Sequence, residues 1–229
     1  MSLDRQLQFV HIGKCGGSTV LKLLSKSPLV SQKYSSFFET HINGVVPSES
    51  CDYLFCIRNP IERAFSAFEW RKKLVLLDSD STQLDRFPGE HDVLKKYESL
   101  GDLALNLYRK NGTLNQQVAR DFNMIHHLRE SISFYIHPLM EVLSPENVFG
   151  VICQELMSED CLRVLSADPG DICERKNVCK SSIEDAFNSR SMHNLKRFLT
   201  RDYQSIAALW SLGCLSERQF KALMLLPQY

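Results

Sequence analysis

Residues Phe9 to Val20 read FVHIGKCGGSTV. Phe9, Val10 and Ile12 suit a buried strand, and Gly13, Gly16 and Gly17 permit backbone torsions that other residues resist. Ser18 and Thr19 then open a helix whose apolar stripe is Val20, Leu21 and Leu24. A strand that turns through glycines into a helix start aims N–H groups at an anion, and Lys14 adds a mobile point charge. The order K-x-G-G-S-T departs from the G-x-x-x-x-G-K-[ST] of nucleotide triphosphatases, whose lysine directly precedes a magnesium-binding hydroxyl. Lys14 therefore approaches from the strand side of the turn. On this stretch alone, a turn without a ligand is the competing reading.

Working outward, Pro28 helps to end the first helix, and LVSQKY with SSFFETHI supplies a second strand and its exit loop. Asn43, Gly44 and Pro47 mark a turn. CDYLFCI, residues 51–57, is a compact apolar run suited to the middle of a sheet covered on both faces. It ends at Arg58. Pro60 is placed like the first residue of a helix, in which Ile61, Ala64, Phe65 and Phe68 form a buried stripe and Ser66 projects toward the polar side. Strands alternating with helices predict an α/β fold with a parallel sheet and right-handed crossovers. Ligands in such sheets bind outside the carboxyl ends of the strands, and both the Lys14 turn and Arg58 sit at such ends.

Further along, 77–91 turns polar and reads as a surface loop, with helical patterning from about Asp92 to Lys110. NGTLNQQVARDFN has no assignment from its pattern. Leu139 to Leu143 suggests a short helix, and VFGVIC, residues 148–153, a final strand. Ser181 with Glu184, and Ser216 with Gln219, resemble capping boxes. The stripe Leu195, Phe198, Leu199, Tyr203, Ile206 and Trp210 reads as helical core. Arg63 and Arg71 read as solvated helix arginines.

The 229 residues, 44% hydrophobic, suffice for one sizeable core, so a single domain over 1–229 is expected. Lys plus Arg (27) balances Asp plus Glu (27), which argues against nucleic acid or a membrane surface as partner. No apolar run approaches the roughly 20 residues of a membrane span, and the polar start MSLDRQLQ is unlike a signal peptide. A cytoplasmic protein without a transmembrane segment is the expectation. The eight cysteines are scattered and read as reduced thiols, with Cys56 and Cys153 as small core residues. Cys173 and Cys179 lack C-x-x-C partners and His126 and His127 are adjacent, so no metal is expected.

HIGKCGGST followed by FCIRNPIERAFSAF resembles the two signatures of sulfotransferases that use 3′-phosphoadenosine 5′-phosphosulfate (PAPS). The resemblance is to the carbohydrate branch of heparan and chondroitin type, whose motifs usually read H-I-P-K-T-G-G-T-S and R-D-P-V-E-R-x-x-S. Asn115, Gln117 and Arg120 resemble that branch's N-x-Q-x-x-R segment, VICQEL its strand ending in glutamate, and Arg175 to Asn177 a short polar motif near the nucleotide. Two positions depart: Gly13 stands for the usual proline, which loosens the turn, and Cys15 for the usual threonine, which removes a hydroxyl from the cradle.

The resemblance implies a P-loop-type three-layer sandwich and a sulfotransferase that uses PAPS without a metal. It places Lys14, Cys15, Gly16, Gly17, Ser18 and Thr19 on the 5′ end of the donor, and Arg58 with Ser66 on its 3′-phosphate. Lys14 would also neutralise the leaving oxygen. A carbohydrate or other hydroxyl acceptor needs a base, worth about 10²–10⁴-fold. FETHINGV lies where the family often carries a catalytic histidine or glutamate, which makes His41 the first choice and Glu39 its rival; His11 reads as buried packing. The competing functions are a P-loop nucleotide kinase or phosphotransferase and a nucleotide-binding module without catalysis. Oligomeric state has no signature in the sequence.

Overall fold

The computed structural model describes residues 5–78, 82–83, 86–170 and 182–225. In chain order its principal elements are β1 Gln6–His11, α1 Gly17–Leu24, α2 Pro28–Lys33, β2 Phe37–Thr40, β3 Cys51–Ile57, α3 Pro60–Lys72, α4 Glu90–Lys96, α5 Leu100–Asn106, α6 Gln116–Met124, α7 Ile132–Ile136, β4 Val148–Cys153, α8 Met157–Leu165, α9 Ile183–Ala186, α10 Ser189–Phe198, α11 Thr200–Ser211 and α12 Glu217–Met224. The chain groups into two compact units. One comprises Met1–Asn59, Ser131–Arg175 and Asp202–Tyr229, the other Pro60–Glu130 and Lys176–Arg201.

The first unit holds a four-stranded, all-parallel sheet in the order β2-β1-β3-β4, flanked by helices. This α/β architecture is compatible with three layers. The whole of β3 and all of β1 beyond Gln6 are buried, as near-continuous apolar runs in a parallel sheet require. Only the edge strand β2 exposes side chains at its centre. From β1 the chain winds outward to β2, then crosses to β3 on the other side of β1. The winding thus reverses between β1 and β3, the kind of position beyond whose carboxyl ends ligands bind in open parallel sheets.

LVSQKY is not a strand. The Ser27 hydroxyl accepts the Val30 N–H and Pro28 occupies the first turn, so the segment closes into the short helix α2. The predicted helix at 139–143 is displaced toward the N-terminus, to α7 and a 3₁₀ turn at His137–Leu139. At the amino ends of the strands, Arg5, Lys33 and the Tyr34 hydroxyl converge on buried Asp52, at 2.6, 3.0 and 2.6 Å. Burial alone would raise the Asp52 pKa, but these donors outweigh it and hold the carboxyl below its ordinary value. Asp52 thus serves as a clasp for the sheet's far end.

In the second unit the stripe Ile61, Ala64, Phe65 and Phe68 is buried on α3, as predicted. Arg63 and Arg71, expected in solvent, are also buried, at 1% and 2% exposure. Arg71 makes a two-point pair with Glu90 at 2.9 and 2.6 Å, and Arg63 donates to the carbonyls of His127 and Glu130. Partners far along the chain therefore bring both guanidinium groups inside. The helical stretch expected from Asp92 to Lys110 divides at Tyr97 into α4 and α5, with Ser99 capping the second. NGTLNQQVARDFN forms an isolated bridge, Tyr108 to Leu114, and then α6. Ser182, rather than Ser181, caps α9; Ser181 lies outside the described residues, as do Cys173, Cys179 and Arg175 to Asn177. Among the described residues no helix is long and apolar enough to cross a membrane.

Candidate functional site

The turn between β1 and α1 combines three different backbone solutions. Lys14 and Gly16 both take positive φ, 70° and 84°, while Gly17 does not. Gly17 is required for space: a Cβ there would lie 2.0 Å from Cδ2 and 2.3 Å from Nε2 of His11. At Gly16 both reasons apply, because an added Cβ would also meet the Met157 methyl at 2.4 Å. The first turn of α1 has no side-chain cap and no acidic residue. Its positive dipole end is therefore uncompensated from within the helix.

Cys15 is fully buried, with its sulfur 3.8 Å from the Gly13 carbonyl oxygen, and its own carbonyl accepts the Cys56 thiol at 2.7 Å. Only its backbone faces the turn, so replacing threonine by cysteine here does not strip a hydroxyl from the turn's outer surface. Gly17 is buried, Lys14 and Thr19 are partly exposed and Ser18 is exposed. Burial pushes the Cys56 thiol well above its ordinary pKa, so it is inert.

The β1–β2 register pairs Phe9 with Glu39. Side chains two apart on a strand share a face, so His11 looks out on the same side, one step beyond. Glu39 accepts a hydrogen bond from His11 Nδ1. His41 follows β2 and stacks on His11, with ring centroids 4.2 Å apart, while its Nδ1 donates to the His11 carbonyl at 2.8 Å. A carbonyl can only accept, so His41 carries a proton on Nδ1, the tautomer in which Nε2 is the ring's other, basic nitrogen. Burial lowers the His11 pKa, with Glu39 working in the opposite direction.

The next residue, Ile42, has φ of 69°, a rare conformation for a β-branched side chain. Its N–H is held by the Tyr135 hydroxyl at 3.1 Å. His41 thus stands on a turn fixed at both sides.

Arg58 continues β3 into a pinned segment. The Asn59 N–H donates to Glu155 at 2.7 Å, and its amide donates to the carbonyls of Leu223 and Leu225 at 2.9 and 3.3 Å. The glutamate of VICQEL therefore acts on backbone beside Arg58. Ser66 belongs to the second unit, partly exposed on α3. Gln117 and Arg120 in that unit bond one another at 2.9 Å.

The adjacency of His126 and His127 does not keep them apart from a common point. With φ of 67° at His127, potential ligand atoms of His126, His127 and Glu130 all lie within 4.8 Å of one another. Glu130 nevertheless spends Oε1 on Arg129 and Oε2 on His127 N–H and His126 Nδ1. That saturation makes it the staple of a buried turn.

His11 is the residue whose part the sequence concealed. Strand alternation could have revealed that it shares a face with Phe9, but only the register with β2 supplies Glu39. No family model matches the chain, and searches of curated proteins and of solved structures also return no match.

Proposed function

We propose that this protein transfers a sulfuryl group from PAPS to a hydroxyl acceptor of the saccharide class, using a P-loop-type cradle built on the β1–α1 turn. The observation that carries the reading is an uncapped helix start, preceded by Lys14, beside a histidine held in the tautomer of a base. The turn lies at the point where the sheet reverses its winding, as expected of nucleotide sites in parallel sheets. The two signatures, HIGKCGGST and RNPIERAFS, add the family resemblance.

In this mechanism the start of α1 and Lys14 receive the 5′-phosphosulfate, and Arg58 takes the 3′-phosphate. The acceptor oxygen forms a bond to sulfur as the bridging oxygen–sulfur bond breaks, and the electron pair leaves on adenosine 3′,5′-bisphosphate. Lys14 neutralises that departing charge. His41 Nε2 takes the acceptor's proton. Glu39, the rival base, is engaged by His11.

The test is transfer of labelled sulfate from PAPS across a panel of glycans and small hydroxyl compounds. Sulfation of at least one saccharide, abolished in Lys14→Ala with the fold preserved, is the expected result. Near-normal transfer by Lys14→Ala would remove the lysine from the mechanism. Magnesium-dependent ATP turnover would instead favour a phosphotransferase.

A further inference from the structure

His11 is 8% exposed and held from one side only. Its Nδ1 is bonded to Glu39, whereas Nε2 makes no hydrogen bond among the described residues. That second nitrogen is aimed at the start of α1, so closely that a side chain at position 17 would strike it at 2.3 Å. Nε2 is therefore a hydrogen-bonding position that a ligand could take up. Here it lies against an eight-residue helix whose positive end has no counter-charge of its own. The two features meet at one place, and each is completed by an anion.

The protonation states follow from donor and acceptor rules. Glu39 as carboxylate can only accept, so Nδ1 carries the ring's proton and Nε2 presents a lone pair. An oxyanion at the helix start would meet that lone pair, acceptor against acceptor. Adding a proton to Nε2 turns the repulsion into a charge-assisted hydrogen bond. Glu39 would steady the resulting imidazolium from behind.

We propose that His11 is a proton-coupled ligand for a sulfate- or phosphate-type oxyanion at the start of α1: neutral in the empty protein, it takes up one proton as the anion arrives. This rests on the cradle reading above and adds a ligand to it. The groups facing His11 are consistent. From β2 comes Glu39, and from the turn after it the stacked ring of His41. From β3 comes its register partner Cys56, a thiol kept neutral by burial. From α1 comes only backbone at Gly17, and Lys14 stands three residues on in the loop. Glu39 is the one anion in the set, so a protonated His11 has a counter-ion. Burial, which holds the empty-state ring neutral, would be outweighed by a second negative charge at Nε2.

The experiment is a side-chain NMR titration of histidine-labelled protein in inorganic sulfate and in chloride at matched ionic strength. Sulfate stays fully ionised across the neutral range, so any added proton resides on the protein. Backbone amide shifts at Gly16 to Thr19 report binding independently. The expected result is a His11 midpoint higher in sulfate by about one pH unit, with sulfate affinity rising up to about tenfold per unit fall in pH between the two midpoints. His11→Gln assigns the resonance, and Glu39→Gln, which leaves the ring in place, should lower the midpoint in both salts. Saturating amide shifts with an unmoved His11 midpoint would overturn the proposal and leave the cradle standing. Absence of amide shifts with sulfate and with adenosine 3′,5′-bisphosphate would remove the cradle, and the proposal with it.

Discussion

Glu130→Gln tests whether the buried polar turn of the second unit is held by charge. The carboxylate is 3% exposed and is bonded by His126, Arg129 and the His127 amide. Burial opposes its ionisation, but the three donors together hold its pKa at about 2, against an ordinary 4.5. Such a depression favours the folded, ionised state by about 3 kcal/mol at neutral pH. Glutamine keeps the shape and one acceptor but loses the charge. The variant should therefore be less stable by about 2–3 kcal/mol at pH 7, which in a chain of this size lowers the melting temperature by roughly 4–12 °C. The sign with pH follows from the depressed value. Wild type keeps the full advantage above the unfolded carboxyl's titration, from about pH 5.5 upward, and loses it progressively as pH falls toward 2. Urea unfolding of both proteins across that range measures the gap directly. A gap that stays constant down to pH 3, or that is absent at pH 7, would refute a charge-based role.

Two steric predictions follow from the glycines. Gly17→Ala places a methyl 2.0 Å from His11 Cδ2, so the ring must leave Glu39; destabilisation of about 1–3 kcal/mol and a displaced His11 imidazole resonance are expected, and an unmoved resonance would contradict the geometry. In the second unit, Gly101→Ala directs a methyl to within 1.7 Å of the Ala186 carbonyl oxygen. Backbone cannot yield there as a side-chain tip does, so urea unfolding should show a loss toward the upper end of about 1–3 kcal/mol or beyond.

The strands were legible where local pattern suffices. Phe9 to Ile12, CDYLFCI and VFGVIC are apolar runs of strand length bounded by breakers, and each strand appears with at most a few residues' change in its bounds. LVSQKY misled because its apolar residues mimic a strand, although Ser27 and Pro28 together spell a helix start. Arg63 and Arg71 were opaque for a different reason. Their burial depends on Glu90 and on carbonyls of His127 and Glu130, and no spacing rule connects residues that distant. The site divides in the same way. Lys14, Gly16 and Arg58 announce themselves by position at strand ends, whereas the grouping of His11, Glu39 and His41 arises only once β1 and β2 are set in register.

The turn after β1 also shows why matching a motif letter by letter can mislead about chemistry. Cys15 occupies a position where a hydroxyl residue is usual in the similar motif, yet its side chain points inward, beneath a backbone carbonyl held by the Cys56 thiol. Below Gly16 lies the Met157 methyl, and Met157 sulfur approaches the Cys161 thiol at 3.6 Å. The underside of the turn is thus a bed of apolar sulfur, and its upper side is backbone, Lys14 and Ser18. A soft, polarisable lining fills irregular space without competing for the hydrogen bonds of the turn's backbone. The polar side chains around the turn come from elsewhere: Lys14 from the loop, His11 from β1, Glu39 and His41 from β2 and its exit. The cysteine in the motif is therefore a packing residue, and His11, easily passed over as packing, is the one whose ring lies against the start of α1 at Gly17.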